Sequence, residues 1–227
     1  MPESTRVVSA RTLGPFCVVT LERRFEPGAP GQFHMLRVAG TSAFLPRPLS
    51  AVRADEHGVE FLCQLAGKAL APLAEAGCEV SVSGPFGRGF DLSSAGERPL
   101  LVGGGFGVAL LAGVAEALPG SLLHAGFRDA DAALACELVP ASEVVKAIAP
   151  DRVAPPYAEA TAVFAAGPMA MMQAVGRAAS EAGVPSQLAL EAPMACGYGA
   201  CYGCAVRLGG HVVRLCIEGP VVDGALL

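Results

Sequence analysis

The chain has 227 residues, enough for one large domain or two modest ones around a proper core, with an interior built of Ala, Val and Leu because Trp is absent and aromatics are only 6%. A net charge of -5 with two lysines, Lys68 and Lys146, leaves no basic tract for nucleic acid. The opening MPESTRVVSARTLG has no basic stretch followed by an apolar run, and the longest apolar stretch, residues 99–118, is broken by GGGFG, so a signal peptide and a membrane span are excluded and a cytoplasmic protein is expected.

Residues 5–83 read as β. RVVSARTL, FCVVTLER, FHMLRVAG, LSAVRA, VEFLCQL and EVSVSG are short, alternating or β-branched, and bounded by Gly, Pro or charged turns. Six antiparallel strands at that spacing predict a small barrel, interrupted by one helical insert, ALAPLAEAG, that Gly77 would stop. After DLSSAGERP the character changes. LLVGGG predicts a buried strand, FGVALLAGVAEALPG a helix closed by Pro119-Gly120, and SLLHAGF and TAVFAAG further buried strands. PMAMMQAVGRAASEAG predicts a helix with Pro168 in its first turn, where a missing N–H is harmless. Strand–helix alternation of this kind predicts a Rossmann-like α/β domain with a parallel sheet. Residues 188–227 show little regular structure beyond CAVRL and HVVRL, a hairpin around Gly209-Gly210. The expected organisation is therefore a barrel over 1–94, an α/β domain over 95–187 and a short C-terminal segment over 188–227. The low charged fraction, 16%, hints at a surface buried against a partner.

Eight cysteines occur. Cys17, Cys63, Cys78 and Cys136 are scattered in apolar or mixed segments and read as core residues. Cys196, Cys201, Cys204 and Cys216 are clustered with the spacing C-x4-C-x2-C-x11-C. The first three match plant-type [2Fe–2S] ligation, and structural zinc sites more often come as two separated C-x2-C knuckles. Gly197, Gly199 and Gly203 suit a loop that wraps an anionic core and turns its N–H groups toward sulfur. Zinc and free thiols remain the alternatives at this point. A cluster that passes single electrons implies a second redox group in the same protein.

Two further motifs bear on that group. LLVGGGFGVALL sets Gly103, Gly104, Gly105 and Gly107 between a strand and a helix, where a phosphate could lie against exposed N–H groups, although tight strand–helix packing would need the same glycines and the G-x-G-x-x-G spacing is not met cleanly. LPRPLSAV offers Arg47, whose planar fork suits a phosphate, and Ser50. GPFGRGFDL then closes the barrel pattern.

In this order, Arg-x-x-Ser, GPFGRGF, GGGFG and the later AAGPMAMM resemble the ferredoxin-reductase superfamily. LEAPMACGYGACYGCAV with RLCIEGPVVD narrows this: over nearly the whole chain the sequence resembles the electron-transfer subunits of class 1B, NAD-dependent dihydroorotate dehydrogenase. Related subunits of bifurcating reductases carry Asp where Cys196 stands, and reductases with a complete plant-type ferredoxin domain place the fourth cysteine much further on. The resemblance implies that Arg47, Pro48, Leu49 and Ser50 hold FAD and that Leu62, Cys63 and Gln64 line the flavin. Ala69-Leu70 stand where the family has Gly-Thr, so one hydroxyl contact to the pyrophosphate, worth about 1 kcal/mol, is replaced by backbone alone. Gly103, Gly104, Gly105 and Gly107 would meet NAD, and Cys196, Cys201, Cys204 and Cys216 would ligate a [2Fe–2S] cluster. VVKAIAPDRVAPPYAEAT replaces a polar Asp-Gly-Ser segment of the family. Arg128 could meet a 2′-phosphate, but Asp129 and Asp131 would repel one, which favours NAD over NADP.

The implied activity is that of an oxidoreductase subunit. His34, His57, His124 and His211 are dispersed, and no general base for substrate oxidation stands out. A partner must carry the substrate. By resemblance it is an FMN-containing catalytic subunit that converts dihydroorotate to orotate in pyrimidine biosynthesis, assembled as a heterotetramer of two of each chain. Electrons would run from that FMN through the cluster to FAD and NAD. Two rival readings stand beside this one: a reductase subunit for another barrel oxidoreductase or a ferredoxin-like acceptor, and a zinc-stabilised binding module.

Overall fold

The computed structural model describes residues 2–65, 69–151 and 153–227; Lys68 and Arg152 lie outside them. The first half is one antiparallel sheet made of β1 (Glu3–Leu13), β2 (Phe16–Leu21), β3 (Phe33–Val38), β4 (Arg47–Leu49), β5 (Ala51–Ala54), β6 (Val59–Cys63) and β7 (Glu79–Phe86). Their order across the sheet is β4-β3-β7-β1-β2-β6-β5. The sheet has seven strands rather than the six expected, because the predicted run LSAVRA breaks at Ser50 and Arg47–Leu49 pairs with β3 on its own. No ladder joins β4 to β5 among the described residues. Yet these two edges are consecutive in the chain, one residue apart, so the sheet must curl until they meet at Ser50. Pro48 is tolerated because β4 is an edge strand. The insert after β6 contains only a short 3-10 turn, Ala71–Ala74, and Gly77 follows it at φ +84°.

Strand β2 shows why FCVVTL is apolar throughout. Cys17, Val19 and Leu21 point into the interior of the curled sheet with Val7, Leu36, Phe61 and Val82. Phe16 and Val18 point the other way, into a core shared with Leu101, Leu111 and Phe164 of the second half. Both faces are buried, so the polar half of the usual alternation is missing.

The second half holds β8 (Pro99–Gly104), β9 (Leu122–Phe127), β10 (Glu143–Ile148), β11 (Ala162–Ala166) and β12 (Ser186–Ala189), with helices α1 (Ala112–Ala117) and α2 (Met169–Glu181). The five strands are parallel in the order β10-β9-β8-β11-β12, a doubly wound arrangement whose order reverses between β8 and β11. The helix expected after the glycine loop begins as a 3-10 stretch, Gly105–Leu111, and becomes α-helical only at Ala112. The residues EVVKAI, which carry no strong strand pattern, form the edge strand β10.

The C-terminal segment adds the predicted hairpin, β13 (Ala205–Leu208) and β14 (His211–Arg214), turning at Gly209 and Gly210 with φ of +53° and +81°. It also adds an unexpected strand, β15 (Val221–Asp223), antiparallel to β12. Cys204, Leu208, Leu215 and Cys216 share one core with Phe33 and Met35 of the first sheet and with Leu100, Val102 and Met172 of the second. The segment is wedged where the two sheets meet. Gly87 of the boundary motif allows this, since a Cβ there would lie 2.8 Å from Pro220 Cδ. Among the described residues no helix is long and apolar enough to cross a membrane.

Candidate functional site

The loop 196–204 brings its thiols together in two pairs. The Cys201 thiol is close enough to Cys196, and the Cys204 thiol to Cys216, to shift its neighbour's acidity. All four are free thiols. Cys204 and Cys216 are buried, Cys196 is half-buried and Cys201 is exposed. Backbone N–H groups point at the sulfurs. Gly203 N–H donates to Cys201 Sγ at 3.4 Å and Cys216 N–H to Cys204 Sγ at 3.5 Å. Burial works to raise the Cys196 thiol, but N–H groups of Cys201, Tyr198 and Ala200 and the Cys201 thiol prevail and hold it at about 6. Burial and the Cys204 thiol push Cys216 up to about 11, against an N–H from Gly199.

Among the described residues no three His, Cys, Asp or Glu side chains converge closely enough to hold one metal ion. Two sulfur pairs with N–H groups aimed at them fit a two-iron core, in which each iron takes two cysteines. The backbone is shaped accordingly: Gly197 and Gly199 sit at φ of +80° and +86°, and Tyr202 at +58°, a conformation that costs a non-glycine residue roughly 1–2 kcal/mol.

The loop touches the first sheet. A Cβ on Gly197 would lie 2.6 Å from Met35 Cγ, and Met35 is the register partner of Pro48 on β4. The cysteine loop and the Arg47–Ser50 motif therefore lie on either side of one methionine. Leu49 is buried, Pro48 and Ser50 are half-buried, and Arg47 is exposed with its Nη1 donating to the Leu45 carbonyl at 3.2 Å. The guanidinium of Arg47 makes no ion pair among the described residues.

A cavity of about 910 Å³ lies at the ends of β8, β9 and β10, where doubly wound sheets place their ligands. Gln64, Pro15 and Phe16 form its wall on the first sheet. Leu62 and Cys63 do not reach it with their side chains. They are buried in the two cores on either side of β6, and burial raises the Cys63 thiol to about 12. Ala69 and Leu70 form the turn into the 3-10 segment, with the Leu70 carbonyl accepting from Leu73 N–H at 2.9 Å. Gly103, Gly104 and Gly105 line the cavity and Gly107 does not. The four glycines have different reasons to be glycine. A Cβ on Gly103 would meet Val108 at 2.6 Å, and one on Gly107 would meet the Ala166 backbone at 2.6 Å. Gly104 lies under Met171 and Pro168. Gly105 has φ +53° and nothing within 4 Å of its Cβ position. Only at Gly105 is the loop glycine for its own backbone with open space beyond it.

The remaining walls include two features that the sequence singles out, the segment VVKAIAPDRVAPPYAEAT and Arg128. Ala147, Pro150 and Tyr157 line it, so the proline-rich replacement segment is one of its walls. Arg128 lines it too, with its guanidinium 3.7 Å from the Asp129 carboxylate. The Met35–Gly197 contact has no sequence signal. The signal at Arg214 is only an isolated arginine in the apolar run HVVRLC.

Residues 191–227 match the family model described as the iron–sulfur cluster binding domain of dihydroorotate dehydrogenase B. The chain is 32% identical to the electron transfer subunit of dihydroorotate dehydrogenase B (NAD(+)) of Clostridium acetobutylicum, covering 87% of this chain and 85% of the relative. It is 30% identical to the subunit of the same name from Streptococcus mutans, over 98% of this chain and 96% of the relative. Among solved structures, the NADH-dependent reduced ferredoxin-NADP oxidoreductase superposes with a TM-score of 0.79 at 22% identity, covering 98% of this chain and 88% of that one. The ferredoxin reductase of carbazole 1,9a-dioxygenase gives 0.66 at 21% identity, over 81% of this chain and 66% of that one. At those identities the superpositions establish a ferredoxin-reductase-like fold. The relatives that share a third of their residues along nearly their whole length establish more: the chain belongs to the family of electron transfer subunits of NAD-dependent dihydroorotate dehydrogenase B.

Proposed function

We propose that this chain passes electrons between a dihydroorotate-oxidising partner subunit and NAD, with a [2Fe–2S] cluster on Cys196, Cys201, Cys204 and Cys216 and FAD held at the Arg47–Ser50 motif. One observation carries the reading: the four-sulfur loop packs on Met35, whose strand neighbour is the Arg47–Leu49 strand, so the two sites adjoin. When bound, the flavin exchanges an electron pair with nicotinamide and single electrons with the cluster.

The chain's own residues prepare those sites. Cys196, Cys201, Cys204 and Cys216 would hold the cluster, with N–H groups of Gly203 and Cys216 stabilising the thiolates. The Arg47 guanidinium, free of carboxylates, presents a fork to a phosphate. Ser50, at the meeting of the sheet edges, offers a hydroxyl, and Gln64 offers an amide from the cavity wall. Leu62, Cys63, Ala69 and Leu70 contribute backbone groups. Gly103, Gly104 and Gly105 let a dinucleotide approach the order reversal between β8 and β11, with Gly107 packing the loop from behind. Arg128 already has Asp129 beside it, which supports NAD over its 2′-phosphorylated form.

The three segments 1–94, 95–187 and 188–227 serve as flavin, nucleotide and cluster units. The partner is the FMN-containing catalytic subunit, two of each chain assembling together. Eight free cysteines support a reducing, cytoplasmic setting.

The test is anaerobic purification with and without the dihydroorotate-oxidising subunit. Expected are flavin bands with an iron–sulfur shoulder, iron and sulfide in the chain, and dihydroorotate-dependent NADH formation only in the complex. Zinc without iron, or a chain that takes up no flavin, would refute the reading.

A further inference from the structure

Arg214 ends β14 two residues before Cys216, and its contacts reach three separate pieces of the cysteine region. Its Nη1 donates to the Gly199 carbonyl at 3.2 Å. Its guanidinium carbon lies 5.1 Å from the centre of the Tyr202 ring, a cation–π arrangement. Its Nε lies 3.5 Å from Glu218 Oε2, and the same carboxylate oxygen accepts from the Arg214 N–H at 2.9 Å. The side chain is about two-thirds buried, with 32% of its surface exposed.

Each of these partners sits beside a sulfur. Gly199 lies between Cys196 and Cys201 at φ +86°, and a Cβ there would strike Ile217 Cγ1 at 2.7 Å. Tyr202 lies between Cys201 and Cys204, in a left-handed conformation at φ +58° that nothing about tyrosine favours. The residue is 59% exposed, so the guanidinium on its ring face is a specific contact rather than part of a core. Glu218 follows Cys216 and closes a turn in which its N–H donates back to the Arg214 carbonyl at 2.9 Å. The backbone of the loop is thus held from one point, the Arg214 guanidinium.

We propose that Arg214 is a positioning residue for the four-cysteine loop: by gripping Gly199, Tyr202 and Glu218 together, it holds the 196–204 loop against the Cys216 segment in its binding shape. The inference rests on reading the four cysteines as ligands of a two-iron cluster. Arginine is required rather than lysine, because a planar fork can donate to a carbonyl, face an aromatic ring and meet a carboxylate at once, whereas an ammonium is a single point.

The experiment compares the full chain with its R214M and R214K variants, each loaded anaerobically with iron, sulfide and FAD. Iron loss to a chelator, the electron spin resonance signal of the reduced cluster, and bound FAD are measured. For R214M, iron loss about tenfold faster than wild type is expected, in the range for lost outer-shell partners, with an altered resonance signal and unchanged FAD content. R214K keeps the charge but not the planar fork that meets all three partners, so its iron loss should stay fast. Wild-type iron retention and resonance signal in R214M would overturn the assignment. Loss of FAD together with iron would also overturn it, by making Arg214 a brace for the whole fold. A wild-type chain that takes up no iron at all would instead refute the cluster reading on which the inference rests.

Discussion

In the cysteine loop, Gly197 and Gly199 adopt φ of +80° and +86° and turn the backbone so that its N–H groups face sulfur. In the loop after β8, equally rich in glycine, Gly103 and Gly107 are glycine because Val108 and the Ala166 backbone leave no room for a Cβ, and Gly105 alone is left-handed with open space before it. The two loops look alike in sequence and differ in what they demand. The cysteine loop needs a backbone conformation as well as room, since a Cβ on Gly197 or Gly199 would also meet Met35 or Ile217 at 2.6 and 2.7 Å, whereas the loop after β8 needs, in most of its positions, only the absence of a side chain. The lesson is that a run of glycines identifies a close approach without saying what approaches: a cofactor, a sulfur, or another strand.

That difference can be tested by substitution, beginning with the largest effect. Cys204→Ser should abolish cluster assembly and lower dihydroorotate-dependent NADH formation by more than about 100-fold, because a ligand is lost outright where even outer-shell partners are worth 10–100-fold. Iron and sulfide analysis checks this, with FAD content retained as the control. Gly107→Ala places a Cβ 2.6 Å from the Ala166 carbonyl carbon and oxygen. It should destabilise the protein by about 1–3 kcal/mol, read as a fall of roughly 2–12 °C in Tm. Gly105→Ala meets no atom and suffers only its positive φ, about 1 kcal/mol. Its main effect should be a raised KM for NAD measured in steady-state kinetics. If Gly107→Ala raised KM at full stability while Gly105→Ala left KM alone, the contrast between packing and ligand glycines would be wrong.

The smallest effect lies outside both loops and sets the background for reading them. His34 is fully buried between Phe25 and Phe61, with Nε2 2.8 Å from the Glu26 carbonyl and Nδ1 without a partner. Burial holds its imidazole below the usual 6.5, opposed by the bond to Glu26. The unfolded chain therefore takes up the proton first as pH falls. Stability is full above 6.5 and declines as the pH drops below it, and His124, also lowered by burial, acts with the same sign. A Tm profile from about pH 8 to about pH 5 should fall toward acid, less steeply in His34→Phe; a profile that rose toward acid would contradict the assignment.

Much of the architecture was legible because its signals are local. Strand β2 is apolar on both faces, β11 is Ala-Val-Phe-Ala-Ala throughout, and Pro168 marks the start of α2. The misses have local causes too. Ser50 interrupts a β-like run, and no residue type announces that the interruption is where two sheet edges meet. β10 carries an exposed Glu143 and Val144 at the sheet edge, so its pattern is weak. β15 is three residues long and is a strand only because β12 offers it an edge.

Sulfur spacing, turn glycines and hydrophobic runs by themselves determined that this chain joins an antiparallel sheet, a parallel α/β sheet and a four-cysteine loop, since each depends on residues close together in the chain. Tertiary structure alone decided that Gly197 rests on Met35 beside Arg47, that Gly87 admits Pro220, and that Arg214 reaches Gly199, Tyr202 and Glu218. Those contacts join segments far apart in sequence or facing one another across a turn, where side-chain direction and close packing, neither of which is written in spacing, choose the partner.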